Sequence, residues 1–149
     1  MNNPYVEANA REREHLAALA DRLTDVELSR PMAAGWTAAG VLAHLAFWDL
    51  RALTLLRKWQ GEGIGPSPMD TDVVNEATRE LCNAIAPRAA ARLALSAATA
   101  IDEAIAQLDA PMLAAVETEG PTVRLDRSAH RRLHLGEIGQ ALQAKEEQQ

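Results

Sequence analysis

Apolar residues recur along most of this chain at spacings of three and four, the period of one helical face. Leu16, Leu19, Ala20, Leu23 and Val26 form the first such stripe and predict a helix from about Pro4 to Glu27. Pro31 and Gly35, in "SRPMAAGW", interrupt it. Thr37 stands at the N-cap of a second predicted helix, roughly Ala38 to Gln60, which carries Val41, Leu42, Leu45, Trp48, Ala52, Leu55, Leu56 and Trp59. The Gly- and Pro-rich "GEGIGPSP" ends it. Asp70 or Thr71 caps a third helix that continues to about Ile85, and Pro87 opens a fourth that ends near Leu108. From Asp109 to Arg127, a stretch containing Pro111 and Pro121, the periodicity weakens. That stretch is expected to be a long connection with one helical turn around Met112 to Val116. A last helix is predicted over Ser128 to Ala144, ahead of a charged tail, "KEEQQ", expected to fray.

Strict strand alternation is confined to the short "TVRL". Several amphipathic helices in 149 residues predict an all-α single domain, 1–149, built as an antiparallel bundle. The long connection lets the last helix return across the bundle. Composition agrees: aromatics are 3% of the chain and much of the 48% hydrophobic content is Ala and Leu, both strong helix formers. A net charge of −6 speaks against non-specific nucleic-acid binding, which rests on neutralising phosphates with Lys and Arg. The single Cys82 has no internal disulfide partner. The N-terminal residues are polar, and the longest apolar stretch, "AAARLALSAATAI", is shorter than the ~20 residues of a bilayer span. A cytoplasmic protein without membrane partners is expected.

The candidate chemistry lies in the four histidines. His130 and His134, in "SAHRRLHLGEIGQAL", stand at i and i+4 of a predicted helix, which puts both imidazoles on one face with Cβ atoms roughly 5–6 Å apart. Two such rings can converge on one ion at ~2.0–2.1 Å. A zincin peptidase needs Glu directly after its first His, where this chain has Arg131. A ferritin-like di-iron site needs two Glu-x-x-His pairs, and only Glu12 with His15 has that form. His44 shares a face with Val41, Leu45 and Trp48, so it points inward and needs a partner there. A metal would satisfy all three rings, and three His with one open position is a catalytic pattern. A single core His is more commonly held by a carbonyl or a carboxylate, and a surface His pair is often accidental.

"GWTAAGVLAHLAFWD", followed 86 residues later by "HRRLHLGEI", resembles the DinB-like superfamily, which includes mycothiol-dependent maleylpyruvate isomerase and bacillithiol transferases. The matching positions are Trp36, Thr37, His44 and Leu45, then His130, His134, Gly136, Glu137 and Ile138. "DTDVVNEA" is similar to the start of the family's third helix. The resemblance implies a four-helix bundle of up-down-down-up topology that binds one divalent ion, zinc or nickel or else iron, through His44, His130 and His134. It also implies a homodimer and an enzyme that uses a low-molecular-weight thiol, either transferred to a small electrophilic substrate or assisting its isomerisation. The ion would lower the pKa of a bound water or thiol. Hydrolysis of a small substrate is the nearest enzymatic rival. A helical bundle that binds metal or ligand without turnover, as a stress-related module, is the rival of another class; few acid–base groups stand beside the histidines.

Glu137 lies three residues after His134 and seven after His130, so it is a candidate fourth ligand, base, or partner that orients an imidazole. Asn75 and Glu76 are candidates to line the pocket. Arg124, Arg127, Arg131 and Arg132 concentrate positive charge that could steer an anionic ligand, although a solvated, salt-bridged face is the expectation. Cys82 reads as a small core hydrophobe, the aromatic group Trp36, Phe47, Trp48 and Trp59 as bundle packing, and His15 as a helix-surface residue.

Overall fold

The computed structural model describes residues 2–120 and 122–147, with side chains as far as residue 144. The described residues form seven α-helices and no strand: α1 (Val6–Arg22), α2 (Asp25–Leu28), α3 (Ala38–Glu62), α4 (Thr71–Ala84), α5 (Pro87–Ala106), α6 (Ala110–Glu119) and α7 (Ser128–Glu147). The all-α expectation holds. A 3₁₀ turn, Ala33–Gly35, precedes α3, and "TVRL" is not a strand. The most extensive helix pair is α3 with α5. In addition α1 contacts α5 and α7, while α3 contacts α4 and α7.

Three boundaries differ from expectation. The first helix stops at Arg22 because a second start signal follows it. The Thr24 hydroxyl accepts from the Glu27 amide at 3.1 Å and the Glu27 carboxylate accepts from the Thr24 amide at 3.1 Å. This reciprocal cap opens α2, turning Leu28 into the core and leaving Val26 78% exposed. Between α5 and α7 the single expected turn is a ten-residue helix, α6. Asp109 caps it by accepting from the Met112 amide at 2.9 Å, and Leu113 and Val116 bury its inner side. Helix α7 extends to Glu147, past the expected end at Ala144. Pro121 and the last two residues of the tail lie outside the described residues.

By length and composition α3 is long and apolar enough to cross a membrane, although its apolar residues do not form one unbroken run. Yet 72% of its apolar window is buried against other parts of the chain, as in the central helix of a packed core. The apolar core falls into two clusters. One gathers Leu16, Leu28, Leu42, Leu45, Leu135 and Ile138. The other gathers Leu56, Trp59, Ile101, Ile105 and Val116. Between them along α3 and α5 stand Asp49 and Asp102, both buried.

These carboxylates receive two guanidinium groups from the start of α7. Arg131, 1% exposed, donates to Asp102 Oδ1 and Oδ2 at 2.8 and 2.9 Å, to Asp49 Oδ2 at 3.3 Å and to the Asn9 carbonyl at 3.0 Å. Arg127 meets Asp49 Oδ1 at 2.8 Å, and Arg13 meets Asp102 at 2.7 Å. The Asn9 side chain donates to the Leu125 carbonyl and accepts from the Arg127 amide. Arg127 and Arg131 are therefore not a solvated face. They are buried because two acids and a main-chain carbonyl from three other helices neutralise them and accept most of their N–H groups, with Arg131 Nε alone among their buried donors left without a partner among the described residues.

Removing one member of a buried ion cluster leaves its partners as uncompensated charges. Arg131→Met is expected to lower the unfolding free energy by about 3–5 kcal/mol. Arg11→Ala, which removes the exposed pair with Glu7, should cost less than about 1 kcal/mol. Urea unfolding of the two variants beside the wild type checks this; equal losses would refute it.

Candidate metal centre

His44 sits in the second turn of α3, and its position is set where that helix begins. Thr37 caps α3 by accepting from the Gly40 amide at 2.9 Å. Asn83, near the end of α4, accepts from the Thr37 amide at 3.1 Å and donates to the Gly35 carbonyl at 2.8 Å. A Cβ on Gly40 would overlap the Asn83 side chain, so α4 approaches α3 this closely only because residue 40 has none. The preceding turn uses φ +82° at Gly35 and ends with the Met32 amide donating to the Trp36 carbonyl at 2.7 Å. This folding brings Trp36 edge-on to His44, with ring centres 5.3 Å apart, and Trp48 flanks the other side at 6.5 Å.

His130 and His134 come from the first two turns of α7. Asp126 opens that helix by accepting from the Ser128 amide at 2.9 Å and from its hydroxyl, bonds that hold the Asp126 carboxyl below its ordinary pKa. Arg131 then anchors the helix in the ionic layer. Successive helical residues point about 100° apart, so the anchoring of Arg131 turns His130 toward α3.

The structure brings His44, His130 and His134 together, with one ligand atom from each lying within 4.8 Å of the others. His44 Nε2 and His130 Nε2 are 3.2 Å apart. Two nitrogens bound to one tetrahedral ion at ~2.0–2.1 Å would stand about 3.3–3.4 Å apart, so this spacing fits a shared ion. Glu137 Oε2 lies 3.2 Å from His134 Nδ1, which leaves His134 Nε2 for the cluster. Glu137 thus takes the orienting place and stands outside the three-residue ligand cluster. His44 Nδ1 is buried with no partner among the described residues, so at that edge the ring is held by packing between the indoles rather than by a hydrogen bond.

Burial, reinforced by nearby His134, pushes the His44 pKa down from 6.5 to about 4. The same causes, with His44, Arg127 and Arg131 adding to them, push His130 down to about 3. Both rings are neutral at neutral pH, the form that binds metals.

A cavity of about 700 Å³ opens onto the cluster, with Met32, Trp36, Val41, Leu133 and Ala141 among its apolar walls and Asn75, Glu137 and Gln140 as its other polar ones. Asn75 therefore lines the site. Glu76 does not; it is exposed on α4 and lies 3.6 Å from Arg79. Cys82 is buried in the core, where its thiol pKa is raised. His15 is exposed beside Glu12, away from the cluster. Leu133, Gln140 and Ala141 were legible as neighbours of the His130–His134–Glu137 stripe on α7. Met32 and Trp36 arrive from the loop, where helical spacing carries no signal.

In the metal-free protein the two depressed histidines impose a pH dependence on stability. Unfolded imidazoles take up protons through about pH 6.5, whereas the folded ones resist until about pH 4. Between those values the unfolded state binds more protons, so stability is full above pH 6.5 and falls as pH drops. Urea midpoints of chelator-treated protein should decline over this window. A His44→Gln/His130→Gln variant should decline less; an equal decline would refute the assignment.

The family model of the mycothiol maleylpyruvate isomerase N-terminal domain matches residues 10–138. No curated protein and no solved structure matches the chain. The matched span contains Trp36, His44, His130, His134 and Glu137, the residues that build the cluster and its surroundings. The chain belongs to the mycothiol maleylpyruvate isomerase N-terminal domain family, part of the DinB-like superfamily.

Proposed function

We propose that this chain is a metal-dependent enzyme in which His44, His130 and His134 hold one divalent ion, zinc or nickel. Its reaction joins a low-molecular-weight thiol to a small electrophile, or uses the thiol to isomerise it. The convergence of three imidazoles on one end of a 700 Å³ cavity, in a chain of this family, is the observation that carries the reading. An ion held by these three imidazoles would supply the Lewis acidity that lowers the pKa of a bound thiol.

The chain's own residues supply the rest. Glu137 accepts the Nδ1 proton of His134 and so fixes the ring with Nε2 toward the centre. Trp36, Val41 and Met32 exclude water from one side, which strengthens every charge interaction within. The Trp48 indole donates to Asn75 Oδ1 at 2.9 Å, which leaves the Asn75 amide hydrogens for a substrate oxygen. The same reading takes α1, α3, α5 and α7 as the four-helix, up-down-down-up bundle of one domain. Its support is the ring of neighbours α1–α5–α3–α7–α1.

Elemental analysis tests the site. The wild type should carry about one equivalent of zinc or nickel, and His130→Ala/His134→Ala should carry none. Absence of metal from both, even after incubation with divalent ions, would end the metal reading. Glu137→Gln should retain the ion with affinity lowered about 10–100-fold, measured by competition with a chromogenic chelator. An unchanged affinity would remove Glu137 from its orienting role.

A further inference from the structure

His130, Leu133 and Asn75 also line a second cavity of about 490 Å³. The two cavities therefore adjoin at these three residues. The walls of the second differ in character from those of the first. Arg51, Arg124 and Arg127 border it, against a single acid, Asp126. In a chain of net charge −6 this is a local excess of positive charge.

The acid is already engaged, because Asp126 accepts from Ser128 at the start of α7. Arg127 is committed to Asp49. Arg51 has no such engagement. It is half-buried and has no carboxylate partner among the described residues. It donates to the Thr122 carbonyl at 3.1 Å and to the Ser67 carbonyl and hydroxyl at 3.1 and 3.0 Å. Three of its five N–H groups are thereby used, which leaves about two without a protein acceptor. Its guanidinium lies over the Trp48 ring, 6.0 Å from the ring centre, at cation–π distance. Burial and the charge of Arg127 both work against its charged state, a cost that a bound anion would relieve. Arg124, exposed at the rim, likewise has no carboxylate partner among the described residues. Asn75 stands at the junction of the cavities with its amide hydrogens free.

We propose that the second cavity is a carboxylate subsite in which Arg51, assisted by Arg124, binds the carboxylate of a small molecule whose reactive end lies at the three histidines. The role of the reactive end rests on the metal-enzyme reading; carboxylate binding itself does not, and is measurable without metal. With Nη2 occupied by Ser67, the N–H groups left on Nε and Nη1 offer a carboxylate single charge-assisted hydrogen bonds, a gain that a neutral isostere does not share.

The test is calorimetric titration of chelator-treated protein with succinate and with succinamide, at constant ionic strength and neutral pH. The wild type should bind succinate and discriminate against the neutral diamide. Arg51→Gln should weaken succinate binding at least about tenfold, the loss expected for one charge-assisted hydrogen-bonded contact. Arg51→Lys should fall between. Arg124→Gln changes an exposed side chain that does not endanger folding, and should weaken binding severalfold. Equal succinate affinity in wild type, Arg51→Gln and Arg124→Gln overturns the proposal, as does failure of the wild type to discriminate. Either result leaves the metal reading intact, whereas succinate binding by a protein that never takes up metal overturns the metal reading alone. On zinc-loaded protein, competition between 3-mercaptopropionate and succinate would assign the carboxylate to the thiol. Simultaneous binding of 2-mercaptoethanol and succinate would assign it to the electrophile.

Discussion

The placement of α7 depends on a buried ionic layer. Arg131 touches a carboxylate on α3, a carboxylate on α5 and a main-chain carbonyl on α1, so one side chain ties its helix to the three others of comparable length. Charges this deep are tolerated only when paired with opposite charge and well supplied with hydrogen bonds. A slip of α7 by one turn would separate Arg131 and Arg127 from both aspartates and leave Asp49 and the two guanidinium groups buried without ion-pair partners, with only Asp102 still held by Arg13. An apolar seam would resist such a slip far less, because hydrophobic contact is not directional. The layer lies between two apolar clusters, in surroundings of low dielectric that make both the pairing and its loss more consequential.

His130 directly precedes Arg131, and this adjacency links the ionic layer to the histidine cluster. Anchoring one residue inward fixes its neighbour about 100° around the helix, toward His44. The cluster thus combines a rigid helix, a capped partner helix and two flanking indoles. Its electrostatic character follows from the same burial. Two rings are kept neutral by desolvation and by their neighbours, while the permanent charges are held one layer away with their own counter-ions. Arg51 and Arg124, which have no carboxylate partner among the described residues, border the adjoining cavity, so the two cavities differ in chemistry.

Much of this was readable from residue spacing. The apolar periodicity located five of the helices, and Thr37, Asp70 and Pro87 marked three starts that the structure keeps. The His130–His134 spacing and the inward face of His44 identified the three rings that meet. The errors have specific causes. Thr24 and Glu27 form a start signal inside an otherwise continuous apolar stripe, and the cap prevailed over the period. Helix α6 was underestimated because its two buried residues are too few to make a pattern. Arg124 and Arg132 do lie on an exposed face, but Arg127 and Arg131 do not, and a guanidinium carries no mark of burial; theirs depends on Asp49 and Asp102, far away along the chain.

The sequence by itself determined the helical class, most helix boundaries and which histidines could share a face, because these follow from interactions over three or four residues. Pairing His44 with His130 and His134 required a resemblance to other proteins as well as spacing. Only the tertiary structure decided that Arg127 and Arg131 are interior, that Glu137 holds His134, that Asn75 lines the cleft and Glu76 does not, and that Arg51 stands beside it with no carboxylate partner among the described residues. Each of those facts is a relation between side chains on different helices. Such relations depend on how helices rotate and approach one another, and local periodicity carries no information about that.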